Sequence, residues 1–401
     1  MDRIRWVGCA LLVGALLAAC ADGGGPESTA GDDPIAIGFV GELSGPFAIW
    51  GVPARDGMRL AVDELNAAGG IDGRQLTLVE RDTQGVPEEG VTALRELIER
   101  RGVIAAGGLI SSDVALATAR IAEEEGVPLF LVMAGSDRIL TPDSRMTFRT
   151  CLPSASTIID PLVAYLEAEG ITRVAAIVAD YEWGRAVEDA IVARIGPLDD
   201  VELMIEVAPV QEREFTSYLR RFQDLDPQLI LATPHPPGAL PLTRQADELG
   251  LTAMVTGSNS PAAAVVAEVG DAAFDRYLDL ACADFDDPAY QELAARYHDR
   301  FGSFMEDAAL AGYGQVLLVA DAIEAVGTED PALIAEHLRQ NRFTLPGYAW
   351  ELAWTSNGDL AGAEPLLTIL REREPPPGVN PGAGWYPEVV FRSPPLTPAG
   401  S

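Results

Sequence analysis

The sequence predicts an α/β protein built on doubly wound parallel sheets. Three observations carry that expectation. From Pro34 onward, short apolar runs of strand length alternate with longer stretches whose apolar residues recur at helical spacing. The strand-like runs are apolar almost throughout, the pattern of strands covered on both faces. The chain has 401 residues, enough for two domains with sizeable cores.

The elements follow in order. Ile35 to Val40 reads as a buried strand, and Pro53 to Asn66 as a helix with Met58, Ala61, Val62 and Leu65 on one face. Gly69-Gly70-Ile71-Asp72-Gly73 ends it in a turn. Leu76 to Arg81 is the next strand, and Val91, Leu94, Leu97 and Ile98 mark the next helix. Val103 to Ala106 reads as the end of a strand, with Gly107 and Gly108 as a tight turn. Ser111 and Ser112 then precede a helical pattern through Val114, Ala115, Thr118 and Ile121. A serine there serves as a helix cap. The free N–H groups of such a first turn also make an anion site suited to a small carboxylate. Spacing alone leaves both uses open. Pro128 to Met133 continues the rhythm.

A second series begins after Phe148-Arg149-Thr150-Cys151. Strand-like runs cover Val174 to Ala179, Val201 to Val207, Leu229 to Thr233, Ala253 to Gly257 and Tyr277 to Cys282. Helical stretches cover Arg185 to Ile195, Phe215 to Leu225, Leu240 to Leu249, Tyr290 to Phe301, Ala308 to Val326 and Pro331 to Asn341. The end, from Tyr348, reads as a small strand hairpin. Glu374-Pro375-Pro376-Pro377 and the Pro-rich tail after Arg392 read as irregular.

The N-terminus reads as a targeting segment. Arg3 and Arg5 precede a short apolar core, Trp6 to Leu17, too short to span a membrane. Leu17-Ala18-Ala19-Cys20 resembles a bacterial lipoprotein box, which makes Cys20 the lipidated first residue of the mature chain and an anchor at the cell envelope. Ala21 to Pro34 then reads as a flexible tether. Of the other cysteines, Cys9 leaves with the leader. Cys151 and Cys282 remain in an exported, oxidising setting, where a disulfide between them is expected.

The formal net charge of −33, from 28 basic and 61 acidic residues, disfavours nucleic acid as a partner. No P-loop is present, and Gly38, Gly41 and Gly45 lack the dinucleotide-binding spacing, so no nucleotide cofactor is expected. His235, His298 and His337 are scattered, and no Cys/His pair has zinc spacing, so no metal is expected. There is no Gly-x-Ser-x-Gly elbow, and Ser111 has no base assigned to it.

A series of motifs carries a resemblance. It runs through Leu43-Ser44-Gly45-Pro46, Trp50-Gly51, Asn66-Ala67-Ala68-Gly69-Gly70-Ile71-Asp72-Gly73 and Arg81-Asp82-Thr83-Gln84. It continues through Gly126-Val127-Pro128-Leu129, Phe148-Arg149-Thr150, Tyr181-Glu182-Trp183-Gly184, Arg244 to Gly250 and Asn357-Gly358-Asp359-Leu360. In order and spacing the chain resembles the leucine/isoleucine/valine-binding family of type I periplasmic binding proteins, which serve ABC importers. The resemblance implies two lobes, a three-segment hinge and a ligand held in the cleft. It divides the chain into leader 1–20, tether 21–34, a first lobe of 35–150 plus 283–345, a second lobe of 151–281 plus 346–372, and a Pro-rich segment 373–401. Cys151 and Cys282 then fall at two neighbouring crossovers.

The resemblance also implies a site. Ser111 matches the serine that binds the ligand's α-carboxylate, Ala134 a backbone contact to it, and Ser136 a second hydroxyl. Trp50 and Trp183, one from each lobe, would sandwich the ligand, with Leu109 and Ile110 as an apolar wall. Pro234 and His235 lie in a second-lobe loop facing it. Asn259 aligns with the acid that holds the ligand's ammonium, and asparagine supplies no charge. Asp180 and Glu182 are the nearby acids in sequence. The missing acid and the two indoles lean toward a carboxylate or amide with a bulky apolar part. The implied function is solute capture by lobe closure for an ABC permease, without catalysis. A sensory ligand-binding subunit and an exported α/β hydrolase are the alternatives.

Overall fold

The computed structural model describes residues 33–233, 238–257 and 260–397. The first sheet has five parallel strands: β1 (Ile35–Gly41), β2 (Leu76–Asp82), β3 (Ala106–Leu109), β4 (Leu129–Leu131) and β5 (Thr147–Arg149). Helices α1 (Ala48–Ala67), α2 (Pro87–Arg101) and α3 (Ser112–Glu125) connect them. The order is β2-β1-β3-β4-β5, so the sheet grows one way from β1 and then the other. In such sheets ligands bind beyond the carboxyl ends of the strands, where the order reverses.

The chain then enters a second lobe. Helices α4 (Ala155–Ile158) and α5 (Asp160–Glu169) lead to β6 (Arg173–Ala179), α6 (Glu182–Arg194), β7 (Glu202–Ala208), α7 (Thr216–Phe222) and β8 (Leu229–Thr233). Then come α8 (Ala239–Glu248), β9 (Met254–Thr256), α9 (Ala262–Val269) and β10 (Tyr277–Ala281). The chain returns to the first lobe as α10 (Pro288–Phe301), α11 (Asp307–Val326) and α12 (Pro331–Gln340), and ends in the second as β11 (Leu366–Arg371) and β12 (Tyr386–Arg392). The second sheet has seven strands in the order β12-β11-β10-β9-β8-β6-β7. β11 runs antiparallel to both its neighbours, β10 and β12; the other pairs are parallel.

Three differences from the sequence expectation have physical causes. Gly107 and Gly108 lie inside β3 rather than in a turn after it. Gly108 has φ +99°, and a Cβ there would lie 2.4 Å from the Phe39 ring, so the strand is irregular at a position only glycine fills. Helix α1 begins at Ala48, which puts Pro53 within it. The segment 373–401, set apart for its prolines, supplies β12, where Pro387 pairs with Leu370. β12 is an edge strand, where a missing N–H is tolerated.

Helix α11 is long and apolar enough to cross a membrane, yet it is mostly buried against α1. The two helices meet through glycines: a Cβ at Gly57 would lie 1.9 Å from the Ala309 carbonyl, and one at Gly312 2.0 Å from the Ala54 carbonyl. That contact clamps the returning segment to the first sheet.

Three connections join the lobes, after β5, after β10 and between α12 and β11. Cys151 of the first and Cys282 of the second form a disulfide, with Cα atoms 5.4 Å apart. The third lies alongside: the Ala349 N–H donates to the Cys282 carbonyl at 2.9 Å. The Trp354 indole N–H donates to the Arg149 carbonyl at 2.7 Å.

Candidate functional site

The start of α3 is the point toward which the first sheet directs its loops. Ser111 occupies the N-cap position with extended backbone, but its hydroxyl makes no capping hydrogen bond. Its N–H and that of Ile110 donate instead to the two carboxylate oxygens of Glu42, at 3.3 and 3.2 Å. Glu42 follows β1 and is fully buried. Burial pushes its pKa up to about 7, against the opposing pull of the Ser111 and Ile110 N–H groups and the Thr83 hydroxyl. A carboxyl protonated more readily in the folded chain than in the unfolded one adds stability as pH falls. Melting experiments are therefore expected to show stability rising as pH drops from 8 toward 5. Glu42→Gln should remove on the order of 3 kcal/mol of that rise.

The loop after β4 forms the facing wall. Ser112 Oγ accepts from the Gly135 and Ser136 N–H groups, at 3.2 and 3.3 Å. Ser136 Oγ donates to Glu182 Oε1 at 2.6 Å, and Arg138 bonds Glu182 Oε2 at 2.7 Å. Glu182 belongs to α6, so these bonds cross between the lobes. The neighbouring Trp183 is buried with its indole over Gly135. A Cβ at Gly135 would lie 2.1 Å from Trp183 Cζ3. Gly135→Ala is expected to displace the indole and to lower stability by about 1–3 kcal/mol in urea unfolding.

Two adjoining cavities occupy the cleft. One, of about 40 Å³, is lined from the first lobe by Trp50, Met133, Glu306 and Asp307, and from the second by Ser260, Tyr277 and Asp279. The other, of about 30 Å³, is lined by Trp183, Ile158, Leu162, Val187, Leu231 and Thr233. Asp279 and Leu280 line both. Glu306 accepts from the Ala263 N–H at 3.1 Å, and burial raises its pKa to about 8, with Asp307 and Asp279 adding to the rise. Asp307 accepts from the Ala283 N–H at 2.8 Å.

The expected site residues therefore separate. Trp50 lines the first cavity and Trp183 the second. Ser136 lines an outer groove with Arg138 and Glu182. Ser111 offers its N–H to Glu42 rather than to open space. The Ala134 carbonyl accepts from the Arg149 guanidinium at 2.5 Å. Leu109 packs into the core beneath α3, whereas Ile110 joins the cluster that holds Trp50 and Met133. Asp180 is exposed and pairs with Arg185 at 2.6 Å, away from the cleft. Cys20, Pro234, His235 and Asn259 lie outside the described residues.

Sequence reasoning missed Glu42, Ser112, Tyr277, Asp279 and Glu306. Two of them left a signal. Asp279 is the one charge in the apolar run Tyr-Leu-Asp-Leu-Ala, and Glu42 is an acid set at the carboxyl end of the first strand.

A two-lobed α/β protein with an enclosed interlobe cleft is the architecture of a solute-binding protein. Residues 34–361 match the periplasmic binding protein family, and the chain belongs to it. The chain is 26% identical over 352 residues to the leucine-, isoleucine-, valine-, threonine- and alanine-binding protein of Pseudomonas aeruginosa, covering 86% of this chain and 92% of that one. Its fold matches a branched-chain amino acid substrate-binding protein of Streptococcus pneumoniae in complex with isoleucine, with TM-score 0.76, 20% identity, and 91% and 100% of the two chains covered. It also matches an ABC transporter solute-binding protein of R. palustris in complex with 4-hydroxybenzoate, with TM-score 0.77, 20% identity, and 91% and 98% of the two chains covered. Family membership implies work outside the cytoplasmic membrane.

Proposed function

We propose that this protein captures a small organic solute for an ABC importer, tethered to the bacterial envelope by a lipid on Cys20. The observation that carries this reading is the cleft itself. Trp50 and Met133 face Tyr277 and Asp279 across one cavity, so a solute there touches both lobes at once. A ligand favours closure only through such two-sided contact, because its differential affinity sets the population shift. A permease would then read the closed form. Binding requires no covalent step, and the protein acts as a binder rather than an enzyme. Relatives named for branched-chain amino acids, and a fold match holding an aromatic acid, support a solute of amino-acid size.

A thermal-shift screen of amino acids, short carboxylates, aromatic acids, amides and amines tests the reading. A true solute at 100 times its Kd adds about 2.7 kcal/mol of stability. Importer function is tested by reconstituting the lipidated protein with an ABC permease and ATPase from the same cell. Solute-dependent ATP hydrolysis supports transport; a stable complex with a receptor and no ATPase response refutes it.

A further inference from the structure

We infer that the cleft takes a small organic cation: an ammonium with a short apolar or aromatic group and no carboxylate. The inference rests on the solute-binding reading and names the solute's class. It begins with Glu42. The Ile110 and Ser111 N–H groups, which lead into α3 beside the seat a ligand carboxylate would take, are already held by a carboxylate of the chain itself. Glu42 is fully buried and already takes those donors, so a ligand carboxylate brought there would compete with it for them.

The cavities carry the argument further. Asp279, Glu306 and Asp307 line the first one together with the rings of Trp50, Tyr277 and Phe285. None of the described residues lining either cavity is Lys, Arg or His. Acids and aromatic faces together are the chemistry that receives an ammonium. Asp307 and Asp279 both add to the proton affinity of Glu306, and a cation seated among the three acids favours the ionised form of Glu306 over the protonated one.

A further group points to a ligand. The Thr233 hydroxyl, buried on the wall of the second cavity, makes no hydrogen bond among the described residues. The buried Tyr277 hydroxyl faces Ser260 and Asp279 at the first cavity. At roughly 10–15 Å³ per water position, the first cavity has room for an ammonium head and its adjoining carbon. The second, beside Trp183 and Leu162, is apolar and suits the tail.

The test is calorimetric titration of the full chain with matched probes near neutral pH. The probes are 3-methylbutylamine against leucine and 3-methylbutanoate, and 2-phenylethylamine against phenylalanine and phenylacetate. At least one amine is expected to bind about tenfold or more tightly than its matched amino acid and acid. Asp279→Asn should weaken that amine by about tenfold or more. Glu42→Gln should narrow the preference over the amino acid by about tenfold. Both variants are first checked for wild-type circular dichroism, and either one alone suffices if the other does not fold. An amino acid or acid that outbinds its amine overturns the cation assignment and leaves solute capture standing. Amine affinity unchanged in Asp279→Asn overturns it too, as does silence from every probe, in which case the wider thermal-shift screen decides the solute reading separately.

Discussion

Arg149→Ala is expected to destabilise the protein by about 4 kcal/mol, the cost of stripping one partner from a buried charge pair. Arg149 ends β5 and is among the largest fully buried side chains. Its guanidinium donates to the Ala134 and Ser136 carbonyls at 2.5 and 2.7 Å, and its Nε lies 3.0 Å from Asp359. It thus joins the sheet, the loop carrying Ser136 and the third connection between the lobes. Truncation leaves two carbonyls without donors and Asp359 without its cation, and it opens a cavity as well. Asp359→Asn keeps the shape and removes only the charge, so it should cost clearly less. Urea unfolding of the two variants tests the ranking. A loss under about 1 kcal/mol for Arg149→Ala would mean that the interior repacks around the gap.

Breaking the Cys151–Cys282 disulfide should have the next largest effect. The bond closes a loop with a sequence separation of 131 residues. Loops of this length restrict the unfolded chain strongly, and loss of such a bond costs about 2–5 kcal/mol. Both cysteines are buried, so mild reductant should act slowly on the folded protein and quickly on the unfolded one. Cys282→Ser gives the reduced state without reagents. Its midpoint in urea, compared with that of the oxidised wild type, measures the contribution directly.

The alternation of strand and helix is legible in the sequence because buried parallel strands are apolar on both faces and the helices around them are not. The pattern places β1, β2, β6 and β8 within a residue or so of where they lie. It passes over α4, α5 and α9. The first of these is a single turn, and all three draw on residues such as Ser, Ala and Pro that carry little periodicity. The strand hairpin expected from Tyr348 onward is supplied by the antiparallel pair β11 and β12, where Pro387 is tolerated because β12 lies at the edge.

The site is legible only in part. Trp50 and Trp183 stand out as large rings beside loop glycines, and both line the cleft. Glu42 does not stand out, because an acid in a loop next to Ser44 and Gly45 reads as solvated. Its burial is a product of tertiary packing, with the start of α3 brought against the end of β1. Leu109 and Ile110 look equivalent in the sequence. Successive residues near a strand's end point to opposite faces, and that sends them into two different core clusters.

The placement of β1 and β12 on different sheets has a practical consequence. β1 opens the first sheet, while β12 closes the second and is followed by Leu396, which is buried and donates its N–H to the Ala363 carbonyl at 2.7 Å. A donor fluorophore fused ahead of Ile35 and an acceptor fused beyond Leu396 would ride on separate lobes. Their energy transfer would gauge the angle between the lobes without altering any cleft residue, which makes the fold a ready frame for a genetically encoded optical sensor.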